Sequence, residues 1–254
     1  MARAQQPGQA PHLNTMDLIY SYSAFAIAYL VGSISFAVLV TRLMRLPDPR
    51  SYGSKNPGAT NVLRSGSKTA AALTLVFDAL KGFIPTALVN HYSFELGFHE
   101  ISSADTLVAF VGFSAFLGHV FPIFLRFQGG KGVATALGVL LAYEPVLGGL
   151  TLLLWCVIAA LFRYSSLASI MAALFAPFFI LLFYDRPPVA LAVCLMSLLL
   201  LWRHWRNIVG LLTGKESKIG KQAADPSRRK RRRRVRRLHD DLSVKQSTSR
   251  SGGH

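Results

Sequence analysis

The chain has 254 residues, 52% hydrophobic and 16% charged, with a mean hydropathy of +0.37, which excludes an ordinary soluble domain. Its formal charge of +16 would suit nucleic acid, but 14 Lys/Arg against 4 Asp/Glu lie from Lys215 onward, a net of +10. What remains is an apolar membrane protein carrying a basic tail, for which no nucleic-acid partner is expected.

In chain order, residues 1–16 lack a compact basic stretch followed by an apolar run and a small-residue cleavage site. They are expected to form a disordered N-terminal extension rather than a signal peptide, with Met16 an alternative start. Apolar segments follow at 18–40, 70–89, 107–127, 133–143, 146–162, 167–184 (interrupted by Pro177) and 189–201. The connection after the first segment holds Arg42, Arg45, Arg50, Lys55, Arg64 and Lys68, whereas 91–105 holds no Lys or Arg. Arg126 and Lys131, then Arg163, then the region from Arg203 fall on the same side as the first cluster, with Glu144 and Asp185-Arg186 opposite. The expectation is an all-α integral membrane protein of about seven transmembrane helices, N-terminus outside and C-terminus cytoplasmic. The fourth and seventh segments are the shortest; as partial or re-entrant pieces they would leave five full spans. Residues 17–214 form the membrane domain and 215–254 a basic, disordered cytoplasmic tail whose expected contact is anionic lipid. Cys156 and Cys194 fit neither a disulfide framework nor a zinc spacing and read as small buried hydrophobes, so neither a metal nor a cofactor is expected.

Two loops carry chemistry. Tyr52-Gly53-Ser54-Lys55-Asn56-Pro57-Gly58-Ala59-Thr60-Asn61 is dense in glycine, hydroxyl and amide groups among nearby cations. Glycine admits close approach of backbone N–H groups to an anion, and the side chains add donors, so the stretch reads as a phosphate cradle. A plain polar turn needs two or three such residues rather than ten. The second is Phe127-Gln128-Gly129-Gly130-Lys131-Gly132-Val133-Ala134-Thr135, running from His119 through a glycine stretch into a helix start. Free N–H groups, the helix dipole and Lys131 make it a second anion site. Its spacing is not that of a Walker loop. The competing reading is glycines for close helix packing beside a snorkelling lysine. Asp78 and Lys81, three apart inside an apolar segment, are a functional pair or a structural ion pair. In Trp202-Arg203-His204-Trp205-Arg206-Asn207 the tryptophans read as interfacial anchors and the polar residues stay ambiguous.

Together these motifs resemble the bacterial acyl-phosphate:glycerol-3-phosphate acyltransferase family known as PlsY, over residues 27–219. The resemblance is carried by Tyr29 to Phe36, Asp48-Pro49-Arg50, Gly53 to Asn61, Phe77 to Gly82, Gly118-His119 through Thr135, and Arg203 to Asn207 with Glu216. It implies acyl transfer from a fatty acyl phosphate to the 1-hydroxyl of glycerol 3-phosphate, giving lysophosphatidic acid and phosphate, on the cytoplasmic side of the bacterial inner membrane. It implies catalytic roles for Ser33, Arg50, Lys131, His204 and Asn207. Gly53, Ser54, Asn56, Gly58, Thr60 and Asn61 would take glycerol 3-phosphate. Lys131 with Gly129, Gly130, Gly132, Thr135 and His119 would hold the acyl phosphate, Lys81 would lend charge, and Asp78 and Glu216 would be structural. Membrane lipids and the enzyme that makes the acyl phosphate are the implied partners. His204 is either a general base or an orienting group while a substrate phosphate oxygen takes the proton. Two residues depart from the family pattern: Ser35 where proline is common, and Lys55 where glycine is common.

Two rival classes are weaker. A transporter for a phosphorylated solute predicts polar groups on both sides, and here they cluster on one. A nucleic-acid binder driven by the tail leaves both loops unexplained.

Overall fold

The computed structural model describes residues 15–93 and 101–220. Residues 1–14 of the expected extension and residues 221–254 of the tail lie outside the described residues. Among the described residues every regular element is helical, as hydrocarbon demands of a chain that must satisfy its own backbone.

The first expected segment is not one helix. α1 (Thr15–Gly32) and α2 (Phe36–Leu43) meet at a 42° bend. Gly32 lies so close to the helix Ile101–Val120 that a Cβ there would strike the Ala115 carbonyl, and a Cβ at Gly118 would strike the Tyr29 carbonyl. The break frees the Ile34 carbonyl, which accepts a hydrogen bond from Lys81 Nζ at 2.7 Å. Lys81 Nζ also lies 2.8 Å from Asp78 Oδ1, and both side chains are buried. The intramembrane ion pair thus closes the backbone gap left by a broken helix.

After the short helix α3 (Ala59–Leu63), α4 (Lys68–Tyr92) starts at Ser67, whose hydroxyl accepts from the Ala70 N–H at 3.2 Å. α5 (Ile101–Val120) leads through a 3-10 turn at Ile123–Leu125 into α6 (Val133–Tyr143), α7 (Pro145–Phe162) and α8 (Ser165–Phe183). α9 (Pro187–Arg203) bends by 56° at His204 into α10 (Trp205–Leu212). All seven expected apolar segments are therefore helical. Among the described residues four helical stretches are long and apolar enough to cross a membrane, and up to six if each bent pair counts as one span. α6, with 11 residues, rises only about 16 Å. Cys156 is exposed on the outer face of α7, rather than buried as expected, and Cys194 is half-buried.

One end of the bundle is tied by Arg186, between α8 and α9. Its guanidinium donates to Asp105 Oδ1 at 2.6 Å, to Glu144 Oε1 at 2.8 Å and to the Tyr143 carbonyl at 3.0 Å. The α6–α7 and α8–α9 turns and the start of α5 therefore share that end. The polar loops share the other. Between them a core of Val108, Phe116, Val139, Tyr143, Ile180 and Val193 runs along the bundle.

The α4–α6 contact depends on glycine, because a Cβ at Gly138 would strike the Ala79 carbonyl and one at Gly82 the Thr135 carbonyl. Gly138→Leu should destabilise the protein by ~3 kcal/mol or more, since a packed backbone cannot yield as a side chain can. Gly149→Leu, where nothing lies within 4 Å, should be near neutral. Thermal unfolding in detergent compares the two, and equal melting shifts would refute the close-approach account.

Candidate functional site

A cavity of about 390 Å³ opens at the polar end and runs between the helices toward the middle of the bundle. Its mouth is formed by Ser54, Asn56, Gly58 and Thr60 from the first loop, Lys131 and Gly132 from the second, and His204, Asn207 and Glu216 from the last. Three segments far apart in sequence are brought together there.

The first loop is organised by Asn61. Its Oδ1 accepts from the Ser54 N–H at 3.0 Å, and its Nδ2 donates to the carbonyls of Pro49 at 2.6 Å and Tyr52 at 3.2 Å. Expected among the ligand-binding groups, Asn61 has both ends of its amide occupied in shaping the loop. Gly53 has φ +57 and a Cβ on it would strike Asn61 Oδ1, so it does not face the cavity but permits the turn. Lys55 adopts φ +58, left-handed backbone where glycine is the natural residue, which explains why its position commonly carries glycine in the resembling family. Gly58, by contrast, is extended at φ −161 and lines the cavity.

The second loop is packed against α5 and α9. Arg203 donates to the Gly129 carbonyl at 2.8 Å and the Gly130 carbonyl at 3.2 Å, and the Gly130 N–H donates to the His119 carbonyl at 3.1 Å. A Cβ at Gly130 would overlap the His119 ring, and one at Gly132, with φ +88, the Phe116 ring. Gly129 and Gly130 thus lie in close contact with the His119 region, and their carbonyls accept from Arg203. Lys131 does not snorkel. Its Nζ donates to Asn207 Oδ1 at 2.5 Å, Asn207 Nδ2 donates to Glu216 Oε1 at 2.8 Å, and Ser166 Oγ donates to the same oxygen at 2.7 Å. Burial pulls the Lys131 ammonium down to about 8, with Glu216 opposing and Arg64 and Arg203 adding repulsion.

His204 is buried at the α9–α10 bend. Its Nδ1 donates to the Leu200 carbonyl at 2.8 Å, which leaves Nε2 as the nitrogen available to the cavity. Asp78 and His119 reach the cavity wall, with His119 Nδ1 3.7 Å from Asp78 Oδ1. Lys81 does not, being turned to Ile34 and Asp78. Thr135 is fully buried on the α4-facing side of α6, and its hydroxyl has no hydrogen-bond partner. Ser33 is fully buried at the α1–α2 break, its Oγ accepting weakly from the Ile123 N–H at 3.4 Å. Arg50 is exposed and forked onto Asp48, 2.6 Å away, and the guanidinium holds that carboxyl below its ordinary range. Neither Ser33 nor Arg50 lines the cavity.

Sequence reading did not single out Arg64, Ser165, Ser166, Ser217 or Lys218, all of which line the mouth. Arg64 Nη2 donates to Ser217 Oγ at 2.5 Å, Thr60 and Ser165 hydroxyls lie 3.0 Å apart, and the Ile219 N–H donates to the Arg163 carbonyl at 2.7 Å. The segment after α10 is thereby folded back over the mouth. Isolated serines next to helix ends carry no sequence signal for this role. Among the described residues no three of His, Cys, Asp or Glu gather in a way that would hold a metal ion.

Beyond the mouth the wall turns apolar: Leu140 from α6, Leu152 and Trp155 from α7, Ala173 and Ala176 from α8, and Met196 from α9. Cations, amides and hydroxyls at one end and a hydrocarbon-lined tunnel at the other suit a molecule with an anionic head and an alkyl chain.

A family profile described as Glycerol-3-phosphate acyltransferase matches residues 22–214. A glycerol-3-phosphate acyltransferase of Burkholderia cenocepacia is 57% identical over 208 residues, covering 80% of this chain and 93% of the relative. One of Herminiimonas arsenicoxydans is 57% identical over 206 residues, covering 81% and 98%. Among solved structures, the glycerol 3-phosphate form of PlsY (YgiH), an integral membrane glycerol 3-phosphate acyltransferase, superposes with a TM-score of 0.72 at 37% identity, covering 79% of this chain and 96% of that one. Its lysophosphatidic acid form gives 0.70 at 37% identity, covering 80% and 96%. Matched from residue 22 to residue 214 in sequence, and over nearly the whole of PlsY in fold, this integral membrane chain belongs to the glycerol-3-phosphate acyltransferase family.

Proposed function

We propose that the protein transfers a fatty acyl group from an acyl phosphate to the 1-hydroxyl of sn-glycerol 3-phosphate, the first acylation in phospholipid synthesis. The observation that carries the reading is a cavity whose polar mouth continues into an apolar tunnel. Both substrates and both products are phosphates, and one substrate and one product also carry an alkyl chain. Relatives named for glycerol 3-phosphate, and a neighbour solved with it and with lysophosphatidic acid, agree with this choice.

In this reading glycerol 3-phosphate sits against Ser54, Asn56, Gly58, Thr60 and Arg64, and the acyl phosphate head sits at Lys131 and Asn207 with its chain in the tunnel. The hydroxyl oxygen attacks the acyl carbonyl carbon, the bond from that carbon to the phosphate oxygen breaks, and the hydroxyl proton ends on the released phosphate. An acyl phosphate is an activated mixed anhydride, so positioning and charge neutralisation carry most of the task. Lys131 stabilises the departing phosphate. His204 Nε2 either takes the proton first or orients the acceptor while a phosphate oxygen receives it. Ser33 and Arg50 act from outside the cavity, through the α1–α2 break and the first loop respectively.

The orientation follows from charge. Arg64, Lys131, Arg203 and Lys218 share the mouth end, so that end is cytoplasmic. In this reading seven helical segments alternate between the two ends, with the N-terminus outside, in the inner membrane of a bacterium. The enzyme that makes the acyl phosphate is the expected supplier.

Purified protein with acyl phosphate and glycerol 3-phosphate should yield lysophosphatidic acid without added metal; absence of product, or equal rates with acyl-CoA, would sink the donor assignment. Gly58→Leu places a side chain in the acceptor site without backbone strain, its Cβ 3.2 Å from Asn56 Nδ2. It should raise the apparent KM for glycerol 3-phosphate about tenfold with little change for the donor. A change confined to the donor would reverse the two loops. Lys131 is charged below about pH 8 and neutral above, so the donor KM should climb as pH rises through that value. Lys131→Arg should move the climb out of the accessible range, and an unmoved profile would remove Lys131 from the donor site.

A further inference from the structure

The tunnel ends abruptly, and on each of α6, α7, α8 and α9 a buried residue lies one turn deeper than the last lining residue. On α6 the lining stops at Leu140 and Tyr143 follows; on α8 it stops at Ala176 and Ile180 follows. The antiparallel helices repeat the pattern in reverse. On α9 Val193 lines and Val189 lies four residues earlier, and on α7 Thr151 lines and Leu147 lies four residues earlier. Residues three or four apart share a helix face, so these four side chains stand in line with the tunnel. Tyr143, Leu147, Ile180 and Val189 are each 1% exposed or less and belong to one packed cluster.

This floor is held from outside. Tyr143 Oη donates to the Ala109 carbonyl at 2.8 Å, which fixes the ring on α5. Its own carbonyl accepts from Arg186, which also grips Asp105 and the neighbouring Glu144. A packed layer tied by a partly buried ion-paired cluster cannot drift aside to admit extra carbons as a lone side chain can.

We infer that the layer of Tyr143, Leu147, Ile180 and Val189 is a chain-length stop that sets which acyl donors the protein accepts. The inference rests on the placement of the acyl chain in the tunnel proposed above. Val193 and His204 are separated by about 16 Å of helix rise, as are Ser165 and Ala176, and an extended alkyl chain advances about 1.25 Å per carbon, so about thirteen carbons fit below the head site. Longer chains meet the floor with the head group already seated.

The test uses the full-length protein in detergent with saturated acyl phosphates of graded length, reading the ratio of kcat/KM for longer over shorter donors. Ile180→Ala lowers the floor and should raise that ratio about tenfold, the discrimination a methylene commonly gives in an apolar pocket. Ala176→Leu raises the floor and should lower the ratio by a similar factor. Should Ile180→Ala fail to fold, Val189→Ala opens the same layer from α9. A ratio unmoved in folded variants of both kinds, or a wild-type protein indifferent to length, overturns the stop while leaving the donor assignment standing. If no acyl phosphate of any length yields product, the donor assignment falls and the stop with it.

Discussion

The site depends on one chain of hydrogen bonds, from Lys131 through Asn207 to Glu216 and Ser166. These residues come from the second loop, α10, the segment after it and the start of α8. In a low-dielectric mouth a half-buried ammonium and carboxylate 85 positions apart in sequence are tolerable only when linked, and the Asn207 amide links them without direct neutralisation. Oδ1 faces the cation and Nδ2 the carboxylate. Lys131 is therefore held at the mouth without a direct contact to the carboxylate.

A second polar device answers a different need. The Asp78–Lys81 pair, read as functional or structural from spacing, closes the backbone gap at the α1–α2 break through the Ile34 carbonyl. The break lies at Ser33 to Ser35, and Ser35, with extended backbone, holds the N-cap position of α2. The third device, Arg186 with Asp105 and Glu144, sits at the far end and holds the hairpins that wall the tunnel. Each charged group inside the bundle is thus anchored to backbone or to an opposite charge, as a membrane interior requires.

These arrangements were unequally visible in the sequence. Apolar run lengths located the seven helical segments, and the one-sided distribution of Lys and Arg located the polar end, because both are properties of the chain read along itself. The residue types of the two loops marked them as the polar segments that line the cavity mouth. Their internal contacts were not visible: the Asn61 amide bonds within its own loop, and the Gly129 and Gly130 carbonyls accept from Arg203.

Apolar run length and the placement of Lys and Arg thus pointed to a helical membrane protein with its polar loops gathered on one side, and the ordered motifs pointed to its family. Only the tertiary structure decided that the loops share one mouth, that Arg64 and Ser166 belong to it, that Lys81 does not, and that the tunnel has a floor. Hydrophobic run length and charge act locally along the chain. A shared cavity arises where helices distant in sequence pack, and there the contacts of Asn207 and Tyr143 depend on neighbours that no local pattern specifies.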